Sequence, residues 1–304
     1  MNGILMLTLC SFIWGTAFVA QSAGVQYMGP LTFNCGRSFL ATLFLLPCFL
    51  LFDKFKGQPL SLWGTDDVAL RRQLLTGGGV CGVVLTLSAL LQQIGIAYTT
   101  VGKSGFITTL YIVIVPLLGR FFLKRTINML QWLGVLVAAA GMYFICINEA
   151  FSINKGDMFT LACSLFFAVH ILCVEHFIKG VDGVRLSFIQ FFVSAVLNAV
   201  LMFTFEAPSI SQFEMTLLPI FYAGVMSSGV AYTLQILGQK HVNVVLASIL
   251  LSLESVFAVL SGWLILGQIL TVREIFGCAL VFAAIILAQL PPDFFKHKKQ
   301  GAAV

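Results

Sequence analysis

Charge is scarce in this sequence. Only 10% of its residues are charged and 59% are hydrophobic, whereas a soluble domain carries about 25% charged residues. A water-facing globular surface cannot be built from that composition. The net charge of +5 comes from Lys and Arg scattered near the ends of apolar runs. No basic stripe interleaved with aromatics occurs, so a nucleic-acid partner is not expected. There is no G-x-x-x-x-G-K-[ST] phosphate loop, which argues against ATP-driven work by this chain alone, and no dinucleotide-binding G-x-G-x-x-G follows a strand. No cofactor is expected. The 8 cysteines show no CxxC and no regular spacing. All fall within apolar runs, where a free Cys acts as a small buried hydrophobe, so a disulfide framework is not expected. The first apolar run lacks a basic n-region and reads as part of the fold rather than as a signal peptide.

What the sequence has instead is length of apolar run. Runs of about 18–24 residues recur, enough to cross a hydrocarbon core of about 30 Å as helices. Ten membrane helices are predicted, at roughly 3–22, 31–52, 73–95, 103–123, 129–148, 157–178, 186–205, 215–236, 242–263 and 272–290. Pro30, Pro59, Pro208, Pro291 and Pro292 fall in connections. Pro47, Pro116 and Pro219 fall inside helices and predict kinks or shifted ends there. With the N-terminus inside, 13 of the Lys and Arg residues lie on the cytoplasmic side and only Lys103, Lys155 and Arg273 lie outside, Arg37 being left within a helix. That bias places both termini in the cytoplasm, with 291–304 as a cytoplasmic tail.

The chain also repeats itself. Shifted by 143 positions, Leu91–Gly141 meets Leu234–Ala284 without a gap and with 11 identities in 51 positions. Leu91-Gln92 meets Leu234-Gln235, and Gly95, Gly119 and Gly134 meet Gly238, Gly262 and Gly277. A weaker echo at a shift of 153 sets Cys10-Ser11 on Cys163-Ser164, Trp14 on Phe167 and Arg37 on Gln190. A long-period repeat decides the architecture. Residues 1–148 and 157–290 are read as two five-helix repeats, and because five is odd the second must insert upside down relative to the first. The expected fold is all-α and membrane-embedded: ten transmembrane helices in two inverted repeats. Secondary transporters commonly use that plan, with the substrate near the midplane between the repeats.

Several motifs resemble the ten-helix, EamA-type branch of the drug/metabolite transporter superfamily. Trp14-Gly15-Thr16-Ala17-Phe18 is similar to its W-G-x-x-F. Lys103-Ser104-Gly105-Phe106-Ile107-Thr108, then Val115-Pro116-Leu117, fit its fourth helix. Leu253-Glu254-Ser255-Val256-Phe257-Ala258 and Leu264-Ile265-Leu266-Gly267-Gln268 resemble L-E-P-V-F-A and L-L-L-G-E, with Ser255 for the Pro and Gln268 for the second Glu. The resemblance covers nearly the whole chain. It implies an exporter of amino acids, other metabolites or toxic compounds, with Trp14 lining a central cavity.

Polar groups inside apolar runs are the candidate site. Arg37 lies about two turns into its helix, where a charge costs about 2.5–3.5 kcal/mol on insertion scales. It either anchors a substrate carboxylate or snorkels to the outer interface. Lys103 either reaches an outer vestibule or is an interfacial charge. His170, with Cys163 and Cys173 on its helix face, lacks the close ligand set of a zinc site. It is read as a cavity-lining or a core histidine, and no metal is expected. Tyr111, Gln190 and Tyr232 are candidate cavity-lining groups, with interhelical hydrogen bonding as the alternative for them and for Gln92, Asn198 and Gln235. Glu254 falls near mid-membrane, where an unpaired carboxylate is costly. Three roles stay open for it: a hydrogen-bonded structural acid, the partner of a cation such as Arg37 or Lys103, or the proton carrier of an antiporter.

The expected function is secondary active export of a small metabolite, an amino acid or a related compound, across the inner membrane. The two halves would rock around a central cavity, driven by the substrate gradient or by protons. Broad drug efflux is the nearest alternative. A membrane-embedded enzyme or accessory subunit is the alternative of another class, but it would need a convergent catalytic set that the sequence does not offer. The expected partners are the small-molecule substrate and the bilayer, with protons as the candidate coupling ion. A monomer and a homodimer both fit.

Overall fold

A computed structural model of the chain describes residues 2–57, 60–99, 101–122, 124, 126–146, 154–267 and 271–290, with backbone alone at 101–103, 145, 146, 266, 274 and 289. Pro59, Arg125, the connection at 147–153, Gln268, Pro291-Pro292 and the tail to Val304 lie outside the described residues, as does the side chain of Lys103. Among the described residues every regular element is helical. In chain order these are α1 (Gly3–Gly24), α2 (Pro30–Phe55), α3 (Val68–Tyr98), α4 (Val101–Thr109), α5 (Tyr111–Phe121), α6 (Met129–Cys146), α7 (Lys155–Phe177) and α8 (Gly183–Phe205). Then come α9 (Ile210–Met215), α10 (Leu217–Phe221), a π-helical segment (Tyr222–Ala231), α11 (Tyr232–Gln239), α12 (Val244–Leu251), α13 (Leu253–Leu266) and α14 (Val272–Gln289). Eight stretches are long and apolar enough to cross a bilayer; α4 with α5, the run α10 to α11, and α12 with α13 each make one. The apolar helices α6 and α14 are shorter and lie against each other.

Local chemistry sets the helix ends. Asp67 accepts from the Ala69 amide at 2.8 Å, so α3 begins five residues before the expected position 73 and takes Arg71 and Arg72 into its first turns. Asp182 likewise starts α8 early, accepting from Arg185 N at 2.9 Å. At the start of α7, Asn154 and Asp157 close a reciprocal capping box.

Two expected helices are interrupted, at matching places. The fourth span breaks at Leu110, between α4 and α5. There the ladder tightens, with Leu110 N on Ile107 O at 3.3 Å and Val113 N on Leu110 O at 3.0 Å. Pro116, nearly two turns further on, removes an N–H and crowds the preceding turn. The ninth span breaks at Ser252, which the 143-residue shift places opposite Thr109. No proline is present there. Instead Ser248, Ser252 and Ser255 each bond a carbonyl three residues back at 2.8 Å, the competition with the backbone that disfavours serine inside helices. Ser11 of α1 satisfies the freed Leu250 carbonyl at 2.8 Å. Helix α2 runs through Pro47 without a break, whereas Pro219 sits just before the π-segment.

Glycines set the close approaches. A Cβ on Gly95 would lie 2.2 Å from Thr160 Oγ1 and 3.1 Å from Gly156 O, so only glycine lets α3 meet α7 there. The residues that the two shifts equate with these, Gly238 and Gly3, make the same crossing between α11 and α1, where a Cβ on Gly3 would stand 3.0 Å from Gly238 O. Between α6 and α14, Gly141 faces Gly277 and Gly134 faces Ala284. Small residues at such crossings let backbones approach where no water drives the packing.

Helices α2 and α8 are tied at both ends. At one end the Glu206 carboxylate accepts from Leu31 N (3.0 Å), Thr32 N (2.8 Å) and Thr32 Oγ1 (2.6 Å). This satisfies the unpaired amides that open α2. At the other end Arg185 pairs with Asp53 and donates to Asp182 Oδ2 at 3.2 Å and Ser61 O at 2.9 Å. The shift of 153 that equates Cys10 with Cys163 also equates Thr32 with Arg185 and Asp53 with Glu206. Each helix therefore ends in an acid that holds the beginning of the other.

Candidate functional site

Several of the polar groups buried in the bundle converge on one cavity. Its walls include four pairs that the sequence shifts equate: Trp14 with Phe167, Phe18 with Ile171, Gln92 with Gln235, and Tyr111 with Glu254. Gln21, Arg37, Thr108, Ser227 and Tyr232 complete the lining without a lining counterpart. Thus Trp14, Arg37, Tyr111, Tyr232 and Glu254, each singled out from sequence, share one space. The breaks at Leu110 and Ser252 lie one residue before Tyr111 and two before Glu254, so two interrupted helices present their restarting ends to the cavity. Its free volume is about 20 Å³, room for about one water.

Arg37 is 4% exposed. Its Nε donates to Ser228 Oγ at 3.0 Å, Nη2 to Ser227 Oγ at 3.2 Å and Nη1 to Gln21 Oε1 at 3.5 Å. Every acceptor is neutral, and among the described residues no carboxylate pairs with it. A snorkelling arginine would reach the interface; this one is turned inward and fixed.

Glu254 is 3% exposed and accepts from Tyr111 OH at 3.2 Å. It lines the same cavity as Arg37, and the two form no salt bridge. Tyr232 stands among three rings: Trp14 (centroids 4.6 Å apart), Phe191 (5.3 Å) and His170 (5.9 Å). Trp14 also donates its indole N–H to Ser227 O at 3.3 Å, while Thr16 and Tyr222 share a hydroxyl–hydroxyl bond. The π-segment is thereby held to α1 at two points.

The geometry departs from the sequence reading at two residues. His170 and Gln190 do not line the cavity. They bond each other, His170 Nε2 to Gln190 Oε1 at 3.1 Å, and both are fully buried. The His170 ring makes a T-shaped contact with the Tyr232 ring, which lines the cavity, so it stands behind the wall. Among the described residues no cluster of three His, Cys, Asp or Glu groups occurs. Lys103 falls in the opening turn of α4, and only its backbone is described. Gln92, read as a hydrogen-bonding group, reaches Thr108 Oγ1 at 3.4 Å and also lines the cavity. Ser227, Ser228 and Gln21 were missed. Two adjacent serines between Gly224 and Gly229 in an apolar run were the available signal.

Comparison with known proteins gives the family and the fold. The EamA-like transporter family matches residues 1–147 and again residues 154–290. The chain is 32% identical over 287 residues to an uncharacterized transporter of Archaeoglobus fulgidus, covering 93% of this chain and 84% of that one. It is 25% identical over 293 residues to the uncharacterized transporter YoaV of Bacillus subtilis, covering 94% and 95%. A solved crystal structure superposes with a TM-score of 0.75 at 17% identity, over 95% of this chain and 98% of that one, a likeness of fold.

Proposed function

The chain belongs to the EamA-like transporter family, and from that premise we propose that it is a secondary transporter exporting a small zwitterionic metabolite, an amino acid or a close relative, across the inner membrane. One observation carries the reading: one small cavity is lined by a guanidinium with no carboxylate partner and a carboxylate with no cationic partner among the described residues. A substrate with its own carboxylate and ammonium would complete both. An uncompensated buried ion costs several kcal/mol, and its partner recovers part of that, so the vacancies favour a zwitterion over an uncharged solute.

The ten-helix, inverted-repeat architecture is part of the same proposal. It takes α6 and α14 as the fifth and tenth spans. It is supported by the paired glycine crossings, the paired helix-end ties and the paired cavity residues, all of which obey the two sequence shifts. The charge bias supports cytoplasmic termini.

Alternating access is the proposed mechanism, because a space of about 20 Å³ cannot admit a metabolite until its walls part. The large packing contacts join one sequence half to the other: α1 lies on α13, the π-segment and α11, and α7 lies on α3, α4 and α5. The bodies that rock are therefore mixed groups of this kind, not the two sequence halves. Glu254 is the proposed proton carrier: it would bind a proton on one side, exchange it for the substrate ammonium, and release it on the other.

Inverted vesicles loaded through this protein, tested with labelled amino acids and with cationic dyes, decide the substrate class. Gradient-driven movement of one or more amino acids is expected. Movement of dyes without any amino acid would favour broad drug efflux, which the aromatic wall of Trp14, Phe18, Phe167 and Tyr232 could serve.

A further inference from the structure

The π-segment is the one long departure from α-geometry among the described residues, and it lies against the buried cation. In an α-helix adjacent residues point in different directions and do not face a common partner. Ser227 and Ser228 are adjacent, yet both hydroxyls touch the Arg37 guanidinium, at 3.2 and 3.0 Å. A helix bonded i→i+5 holds more residues per turn than an α-helix, so neighbouring side chains lie closer in angle. The wider turn is what lets two consecutive serines converge on one group. Residues 79–88, which the shift of 143 equates with this segment, lie in regular α-helix and carry Val84-Leu85 opposite the serine pair. The feature belongs to one half only, as does Arg37.

The hydrogen bonding of the pair is half used. Each serine oxygen accepts from Arg37, and among the described residues neither hydroxyl donates to any acceptor. Both serines are buried, at 1% and 0% exposure, where an uncommitted donor is costly. Ser227 faces the cavity; Ser228 lies behind it against Nε. The Trp14 indole holds the Ser227 carbonyl.

We propose that Ser227 is a substrate-binding residue that donates its hydroxyl to the substrate carboxylate beside Arg37, and that Ser228 and Trp14 are positioning residues, Ser228 orienting the guanidinium and Trp14 holding the π-segment in register. This rests on the carboxylate-bearing substrate proposed above and adds its second donor. No bond is made or broken. The carboxylate takes one charge-assisted bond from the guanidinium and one from the Ser227 hydroxyl, and both donors are already oriented when it arrives.

The test uses the full-length protein in detergent, with a panel of L-amino acids, their carboxamides and the matching 2-oxo acids. Binding is read from stabilisation against heat. The wild type is expected to favour the acids and 2-oxo acids over the amides. Ser227→Ala should reduce the acid-over-amide preference about tenfold to a hundredfold, the range of one hydrogen bond to a charged group. Ser227→Thr, which keeps the hydroxyl, should restore it. Trp14→Phe, which keeps the ring against Tyr232 but loses the N–H, should reduce the preference in the same direction, as should Ser228→Ala. A merely structural serine would change thermal stability without changing that ratio. If Ser227→Ala keeps the full preference while Arg37→Gln abolishes it, the cradle is wrong and the proposed function stands. If the wild type shows no preference for any carboxylate, both fall.

Discussion

Removing Arg185 tests how α2 and α8 are held together. Its guanidinium is 3% exposed, pairs with a 5% exposed Asp53, and donates to Asp182 and to the Ser61 carbonyl. It also lies 4.9 Å from the centre of the Phe49 ring. Arg185→Ala would leave the Asp53 carboxylate buried without a cation, a change that costs about 3–5 kcal/mol in comparable buried pairs. At about 2–4 °C per kcal/mol, the scale for larger soluble domains, the melting temperature should fall by on the order of 10 °C. Thermal unfolding of the purified protein, followed by tryptophan emission or scanning calorimetry, measures this. The double replacement Asp53→Leu/Arg185→Met is the sharper arm. If the penalty comes from an orphaned charge, the double variant should be more stable than either single one. Additive losses would refute that reasoning and assign the loss to packing around Phe49. The other tie gives an internal control. Glu206→Gln keeps an acceptor for the Thr32 amide on a half-exposed side chain and should cost only about 1 kcal/mol.

Three further outcomes follow from the site and the charge distribution. Single cysteines near Lys56 and Lys299 should resist membrane-impermeant reagents in intact cells, while one near Ser209 should react; labelling of both termini from outside would reverse the orientation. Arg37→Gln should weaken export of an anionic or zwitterionic substrate more than Arg37→Lys does, because lysine keeps the charge, and normal export by the glutamine variant would remove Arg37 from the site. Glu254→Gln should abolish efflux driven by a proton gradient and, because Glu254 also holds the substrate ammonium, should leave only weakened substrate exchange, which moves no net proton. An unchanged pH dependence of efflux in that variant would make Glu254 a structural partner of Tyr111.

The apolar runs already contained the all-helical, membrane-spanning character of the fold. A chain 10% charged must lie in lipid, and lipid leaves a continuous backbone little choice but helix. The repeated glycines at positions 95 and 238 and at 134 and 277 marked the crossings before any helix was placed, because only small residues permit such approaches. Arg37, Tyr111, Tyr232 and Glu254 were legible for a related reason: each is a polar group too costly to leave facing hydrocarbon. Expense shows that a residue needs a partner, but not which one. His170 and Gln190 looked alike to Arg37 and Glu254 by that measure, yet they satisfy each other behind the wall. Only the tertiary structure could decide this, since it depends on which helix faces meet. The break at Ser252 has the same character. It needs three serine hydroxyls turned back on their own helix and a fourth, Ser11, brought from α1, and no local pattern announces that. The π-segment was the least legible feature. It is contacted by Trp14, Thr16 and Arg37, residues some two hundred positions away in the chain, which no local pattern brings to it.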